Sequence, residues 1–390
     1  MRNGLKWVGR ALLALALALV VVGTWKRKDI SRLMTVNSLF EADKIVGNFS
    51  GMDTAFLNVP VPRGPGPMSE LPTGPDAVLP DTVATWRDER DVTSLLVVHK
   101  GQVVFEDYYL GTTATDRRIS WSVAKSYLSA LFGIIVQDGA IASLDDLVTD
   151  YVPSLKGSAY DRATVRNVLQ MSSGVTFDED YLAYNSDINK MGRLLALGGS
   201  MDGYAIDLKE TFQAPGVAWK YVSIDTHVLG MVIRGATGRS VPELLSEKIL
   251  SKLGMEQDAY YLTDGDGVAF VLGGLNITTR DYARFGLMIK QNGFWNGQQI
   301  VPADWVAEST APSAKTEPDD EFKYGYQWWI PRQADAGVFM GRGIYGQYVY
   351  IDQQRDVVIV TTAADRNFRE DGVSGQNVEI FRQIAASLEN

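Results

Sequence analysis

The sequence predicts an α/β domain assembled from both ends of the chain around a mainly helical insertion. Three observations carry this. "TSLLVVHKGQVVFEDYYLG" (93–111) alternates as two strands, and "VFMGRG", "QYVYID" and "DVVIVTTA" do so near the C-terminus. Between them, from 140 to 290, helical patterns dominate. Strands at both ends with helices between them imply one sheet closed by the two termini.

Taken in order, the chain begins with "MRNGLKWVGRALLALALALVVVGTWKRKD". Arg2, Lys6 and Arg10 precede an uncharged run from Ala11 to Trp25, which Lys26, Arg27 and Lys28 close. A basic start and a short apolar middle suit an export signal. No small-x-small cleavage site precedes the basic cluster, which favours an uncleaved anchor with Trp7 and Trp25 at the interfaces. Fifteen uncharged residues are short for a full span. Residues 1–32 are thus expected to be a membrane anchor or a signal. Residues 33–90 read as a Pro-rich linker or strap, because 58–80 hold seven of the fourteen prolines.

The remainder is 91–390, with its α/β part at about 91–140 and 285–390 and its helical part at about 141–284. The first hairpin turns at Lys100-Gly101. Ser122 to about Val136 is apolar on nearly every face, as in a helix buried inside a protein. "SSG", "APG", "ATG" and "KLG" punctuate the helical part. "NVEIFRQIAASLEN" closes the chain with Val378, Phe381, Ile384, Ala385 and Leu388 on one helical face.

Composition excludes several chemistries. With no cysteine there is no disulfide, thiol nucleophile or thiolate metal site, and two histidines, His99 and His227, cannot form a His cluster. Beyond Arg32, 30 basic residues face 46 acidic ones, so nucleic acid is not an expected partner. H-E-x-x-H, G-x-x-x-x-G-K-S/T and G-x-S-x-G are absent. "GRGIYG" (341–346) matches G-x-G-x-x-G, but the next residues read as a strand where a dinucleotide site requires a helix. The histidines read as surface or packing residues, so a Ser-His-Asp triad has little support.

Ser122 and Lys125 remain. S-x-x-K by itself is common, and a helix-capping serine beside a solvated lysine explains it equally well. Against that explanation, Lys125 sits on a helix whose other faces are apolar. The spacing also puts the two residues on one face, with Cβ atoms about 5–6 Å apart. A lysine normally titrates near ~10.4, and acting as a base at neutral pH costs it about 4 kcal/mol, which desolvation can supply. The helix start offers a free N–H to a developing oxyanion.

"SWSVAKS", "VLQMSSGVTFDEDY", "WKYVSIDTHVLGMVIRGATGRS" and "GGLNITTRDYARFG" together resemble the serine β-lactamase-like hydrolases of the class C type. Among these the resemblance is to the 6-aminohexanoate-dimer hydrolases and family VIII esterases, and it runs from about residue 90 to the C-terminus. It implies an antiparallel sheet flanked by helices with an inserted mainly helical domain, as in β-lactamases and penicillin-binding proteins. It implies Ser122 as nucleophile, Lys125 and Tyr221 handling its proton, and the backbone N–H groups of Ser122 and Ile344 as the oxyanion hole. Ser223 completes the Y-x-S motif. Gly341, Arg342 and Gly343 stand where the family has K-T-G, so Arg342 and Gly343 join Tyr181 and Ser223 as candidates to line the substrate cleft.

Tyr181 has packing as its alternative role, and Gly341 replaces the cation that binds a β-lactam carboxylate. The resemblance therefore implies cleavage of an ester or linear amide through an acyl-enzyme, without metal or cofactor. A penicillin-recognising enzyme, or a non-catalytic envelope binding protein, are the alternatives. The expected setting is a bacterial-type cell envelope, anchored in the inner membrane with the catalytic domain outside the cytoplasm, or exported after cleavage.

Overall fold

The computed structural model describes residues 2–389. The elements that position the site are α1 (Arg2–Trp25), α2 (Arg27–Ser38), β1 (Asn58–Val61), α3 (Thr82–Glu89), β2 (Val92–His99), β3 (Gln102–Tyr108), β4 (Arg118–Ile119) and α4 (Val123–Gln137). They continue with α5 (Asp187–Ala196), α6 (Ser223–Thr237), β5 (Ala259–Leu262), β6 (Leu275–Ile277) and α7 (Thr279–Lys290). The chain ends with β7 (Phe322–Tyr324), β8 (Trp329–Pro331), β9 (Val338–Gly343), β10 (Gln347–Asp352), β11 (Val357–Ala363) and α8 (Val373–Ser387).

The main sheet has seven strands in the order β3-β2-β11-β10-β9-β8-β7, every pairing antiparallel. It is closed by strands from both termini, the fold class read from the sequence. The β2–β3 hairpin turns at Lys100 and Gly101, both with positive φ (50° and 78°), as a tight two-residue turn requires. Helices cover both faces, so β2 and β11 are buried along their length and read as continuous apolar runs, not as alternating ones. Leu95, Val97 and Ile359 face α3 and α8, while Leu96, Val98 and Val358 face α4 and α7. Trp86 Nε1 donates to Asn377 Oδ1 at 2.7 Å, tying α3 to α8.

Two expectations need correction. Residues 33–90 are not a spacer throughout: Leu39, Ile45, Phe49, Met52, Phe56 and Val61 are buried in the main core. Their apolar positions are spread over short helices (Ile45–Ser50 and Met52–Ala55), too brief to show a period. The buried guanidinium of Arg118 donates to Val46 O at 2.6 Å and Ser50 Oγ at 2.9 Å, fixing this segment to β4. Only the later part runs as a surface strap, where Val103 N–H donates to Pro72 O and the N–H groups of Gly74 and Ala77 donate to Val103 O and Val104 O.

The second correction concerns the helical part, which contains β5 and β6. With β1 and β4 they make a four-stranded sheet in the order β1-β5-β6-β4. Apolar runs of three or four residues cannot be told from buried helix by periodicity.

At the N-terminus α1 contains a stretch, Lys6–Trp25, long and apolar enough by length and composition to cross a membrane. The described residues of that stretch lie outside the core.

Phe49 is fully buried, so Phe49→Ala should cost about 3–5 kcal/mol and lower the thermal midpoint of unfolding. An unchanged midpoint would mean that residues 39–61 are not part of the folded core.

Candidate active site

The site forms where the small sheet, α4 and β9 meet. β4 pairs with β6, and Ser120 N–H donates to Leu275 O at 2.7 Å, so the chain enters the turn 120–122 already fixed. Trp121 has a φ of 41°, a left-handed conformation that costs a bulky residue about 1–3 kcal/mol. Its ring packs against Phe49 (5.5 Å between centroids) and Phe40 (5.9 Å). α4 then starts at Val123 with backbone bonds from Val123, Ala124 and Lys125 back to residues 120–122. The Ser122 hydroxyl makes no capping bond. It accepts a hydrogen bond from Lys125 Nζ at 3.2 Å.

Lys125 is 1% exposed, and its amine also donates to Leu272 O at 2.8 Å. Burial lowers its pKa to about 7, against the opposing pull of the Glu179 and Asp225 carboxylates. The same amine lies 5.5 Å from the ring centroid of Tyr221. Burial and the Glu179 charge hold the Tyr221 phenol well above its usual range, while its contacts with the Ser122 and Ser223 hydroxyls pull the other way. Tyr221 packs on Trp329 at 5.1 Å, which fixes the ring.

β9 closes the other side. A Cβ on Gly343 would sit 2.7 Å from Ser120 O and 3.1 Å from Ser122 N, so only glycine lets the strand come this close to the turn. A Cβ on Gly341 would sit 3.1 Å from Ser126 Oγ and 3.3 Å from Val123 Cγ1, so that position faces α4 at close range. After β9, Ile344 precedes Tyr345, whose φ of 60° is again left-handed. Among the described residues, the N–H groups of Ser122 and Ile344 donate to no backbone acceptor. The remainder of "GRGIYG" runs through a short turn into β10, with no helix after it.

Ser122, Tyr181, Tyr221, Arg342, Gly343 and Ile344 line one cavity of about 230 Å³. Ser223 opens α6 and lines an adjoining cavity that also reaches Ser122. Tyr181 stands on the loop before α5 and packs edge-on to Phe368 at 6.1 Å. Arg342 lies over Phe322 (4.9 Å) and Trp329 (5.0 Å) and donates to Ser374 Oγ. His99 ends β2, and His227 is buried against Asp202, 2.8 Å from Nε2 to Oδ1; neither histidine lines these cavities.

Two carboxylates were missed by the sequence reading. Glu179 accepts from Ser223 N–H and, at 3.2 Å, from Ser223 Oγ; burial raises its pKa and Lys125 opposes the rise. Asp225 is fully buried, accepts from Tyr160 Oη at 2.7 Å and Ser173 Oγ at 2.8 Å, and is raised to about 7 by burial. In "FDEDY" nothing singles out the middle acid. Only the fold turns it inward.

An amine lowered to about 7, a hydroxyl bonded to it, a half-buried phenol and two N–H groups without a backbone acceptor are the parts that acyl transfer requires. Residues 87–378 match the family model described as "Beta-lactamase". The 6-aminohexanoate-dimer hydrolase of Paenarthrobacter ureafaciens is 32% identical over 288 residues, 70% of this chain and 73% of that protein. A solved structure described as a putative 6-aminohexanoate-dimer hydrolase from Bacillus anthracis superposes with a TM-score of 0.81 at 26% identity, covering 90% of this chain and 96% of that one. A solved family VIII carboxylesterase shares the fold, with a TM-score of 0.58 at 16% identity over 79% of this chain and 99% of its own.

Gly343→Ala should push the 120–122 turn out of place. We expect the labelling rate of Ser122 by a small fluorophosphonate to fall on the order of 100-fold while the thermal midpoint stays near that of the unaltered chain. A full labelling rate would show that the close approach of β9 does not position the hydroxyl.

Proposed function

The chain belongs to the beta-lactamase family, and from that premise we propose that it is a serine hydrolase cleaving an ester or linear amide through an acyl-enzyme. The observation that carries this reading is the Lys125 amine, buried, lowered to about 7 and 3.2 Å from the Ser122 hydroxyl. Ser122 Oγ attacks the carbonyl carbon as its proton passes to the neutral amine. The oxyanion is received by the N–H groups of Ser122 and Ile344. The bond to the leaving oxygen or nitrogen then breaks, and Tyr221 delivers the proton that the leaving group needs. Water attacks the acyl-enzyme by the reverse sequence and restores the Ser122 hydroxyl. Ser223 and Glu179 hold the Tyr221 side of this network, and Arg342, Gly343 and Tyr181 border the substrate.

A penicillin-recognising reaction has less support, because position 341 is a glycine and offers no cation to a β-lactam carboxylate. The relative named for 6-aminohexanoate dimer keeps a linear amide among the candidates. The apolar stretch of α1 supports attachment to a membrane, and the reading sets the hydrolase domain in a bacterial-type cell envelope.

Four probes test the reading on the unaltered chain and on Ser122→Ala: a fluorophosphonate, short p-nitrophenyl esters, aminohexanoate dimer and a chromogenic cephalosporin. We expect labelling and turnover of an ester or the dimer that disappear with Ser122, and no cephalosporin cleavage. A chain that never labels overturns the reading.

The pH profile is a second check. The base acts as the neutral amine, so kcat/KM should rise with pH through about 7. The Glu179 charge raises the Lys125 pKa, so Glu179→Gln should move that limb to lower pH. Lys125→Arg stays charged and should cost about 10²–10⁴-fold.

A further inference from the structure

Two unlike arms meet at Ser122. One is a cavity of about 330 Å³ walled by Phe40, Phe56, Met191, Leu195, Phe270 and Leu272. That is the size of a small-molecule pocket, and its one ion-forming side chain, Arg193, is turned to the rim, where it donates to Tyr184 O at 2.8 Å and lies 4.0 Å over the Tyr184 ring. The other arm, of about 230 Å³, carries Glu179, Arg342 and Arg369. Tyr221 lines the charged arm and not the apolar one. A proton donor to the leaving group must face that group, so the leaving group lies in the charged arm and the acyl group in the apolar one.

The apolar arm is also set close to α1. Lys26 N–H donates to Val22 O at 2.8 Å and Ile30 N–H to Lys26 O at 2.9 Å, so α2 follows α1 with scarcely a break. Val36, on the wall of the arm, comes eleven residues after Trp25, about 16 Å of helix at ~1.5 Å per residue. Leu182 and Tyr184, exposed by 76% and 68%, form an apolar lip on the loop beside the opening.

We propose that the substrate is an amphiphile, an ester or amide of an unbranched medium-to-long aliphatic acid. Its chain fills the apolar arm and its polar leaving group lies by Arg342 and Arg369. The proposal rests on the serine-hydrolase reading and specifies its acyl group. The chemistry is simple acyl transfer: the acyl carbon leaves the leaving group for Ser122 Oγ, then passes to water, giving the free acid and the protonated leaving group.

The full chain in lipid nanodiscs, given p-nitrophenyl esters from acetate to dodecanoate below their micelle concentrations, tests it. Each methylene buried should raise kcat/KM roughly three- to fourfold until the arm is full. Gly192 lines the arm on α5, and a Cβ there meets nothing within 4 Å, so Gly192→Phe can be built without a clash and sets a ring at the wall of the arm. We expect that variant to cut the ratio of decanoate to acetate kcat/KM at least about 10-fold. A wild-type chain that takes up the fluorophosphonate yet shows flat or falling kcat/KM beyond butyrate overturns the acyl-chain assignment and leaves the hydrolase reading standing. A long-chain preference that Gly192→Phe does not alter overturns the placement in this arm. A wild-type chain that takes up no fluorophosphonate overturns the hydrolase reading, and the acyl assignment falls with it.

Discussion

Taking the Lys125 amine out of water is the constraint on which the rest of the site depends. Lowering it from 10.5 to about 7 corresponds to about 5 kcal/mol of lost preference for its proton. The surroundings offset part of this with two hydrogen-bond partners, Ser122 Oγ and Leu272 O, and with two carboxylates at longer range. Those carboxylates are buried in turn, and each is pushed towards its neutral form. Burial thus moves the Lys125 amine and the Glu179 and Asp225 carboxylates alike towards their uncharged forms. A lysine left in water would keep its proton at neutral pH. The apolar faces of α4 are what lower the Lys125 pKa.

A second demand is geometric. Ser122 and Ile344 lie in turns that follow different strands, β4 and β9, and the residue next to each, Trp121 or Tyr345, holds a left-handed backbone conformation. Such conformations persist only where packing over-determines them. Here the packing is aromatic: Tyr345 stacks on Phe40 at 4.9 Å and meets Phe49 at 5.4 Å and Phe368 at 4.5 Å, while Trp121 meets the first two. Phe40 and Phe49 precede residue 87, where the match to the family begins. The segment before the recognisable domain thus braces both strained residues.

This explains what the sequence could and could not disclose. The β2–β3 hairpin, the three strands from 338 to 363 and the buried helix of Lys125 were legible, because each is a local pattern of apolar residues and turn formers. Ser122, Lys125 and Tyr221 were legible as an ordered set, although Ser122 alone was open to a capping explanation that the absence of a cap bond now removes. Glu179 was not legible, since its role depends on a loop that brings it to Ser223 across 44 positions. Nor were β5 and β6, too short to carry a period, nor the burial of residues 39–61, whose partners lie up to three hundred positions away. What sequence patterns omit is the contact between distant segments.

The same long-range packing joins attachment to chemistry. α2 continues from the apolar helix and reaches Phe40, which both walls the apolar arm and stacks on Tyr345 beside the Ile344 N–H. Arg32 Nε on α2 donates to Ala196 O at 3.2 Å, so the helix is also fixed to α5, which lines the same arm. The end of α2 and Phe40 thus belong both to the wall of the arm and to the aromatic cluster that holds Tyr345. The N-terminal segment is for this reason better understood as a structural member of the active site than as a tether attached to a finished enzyme.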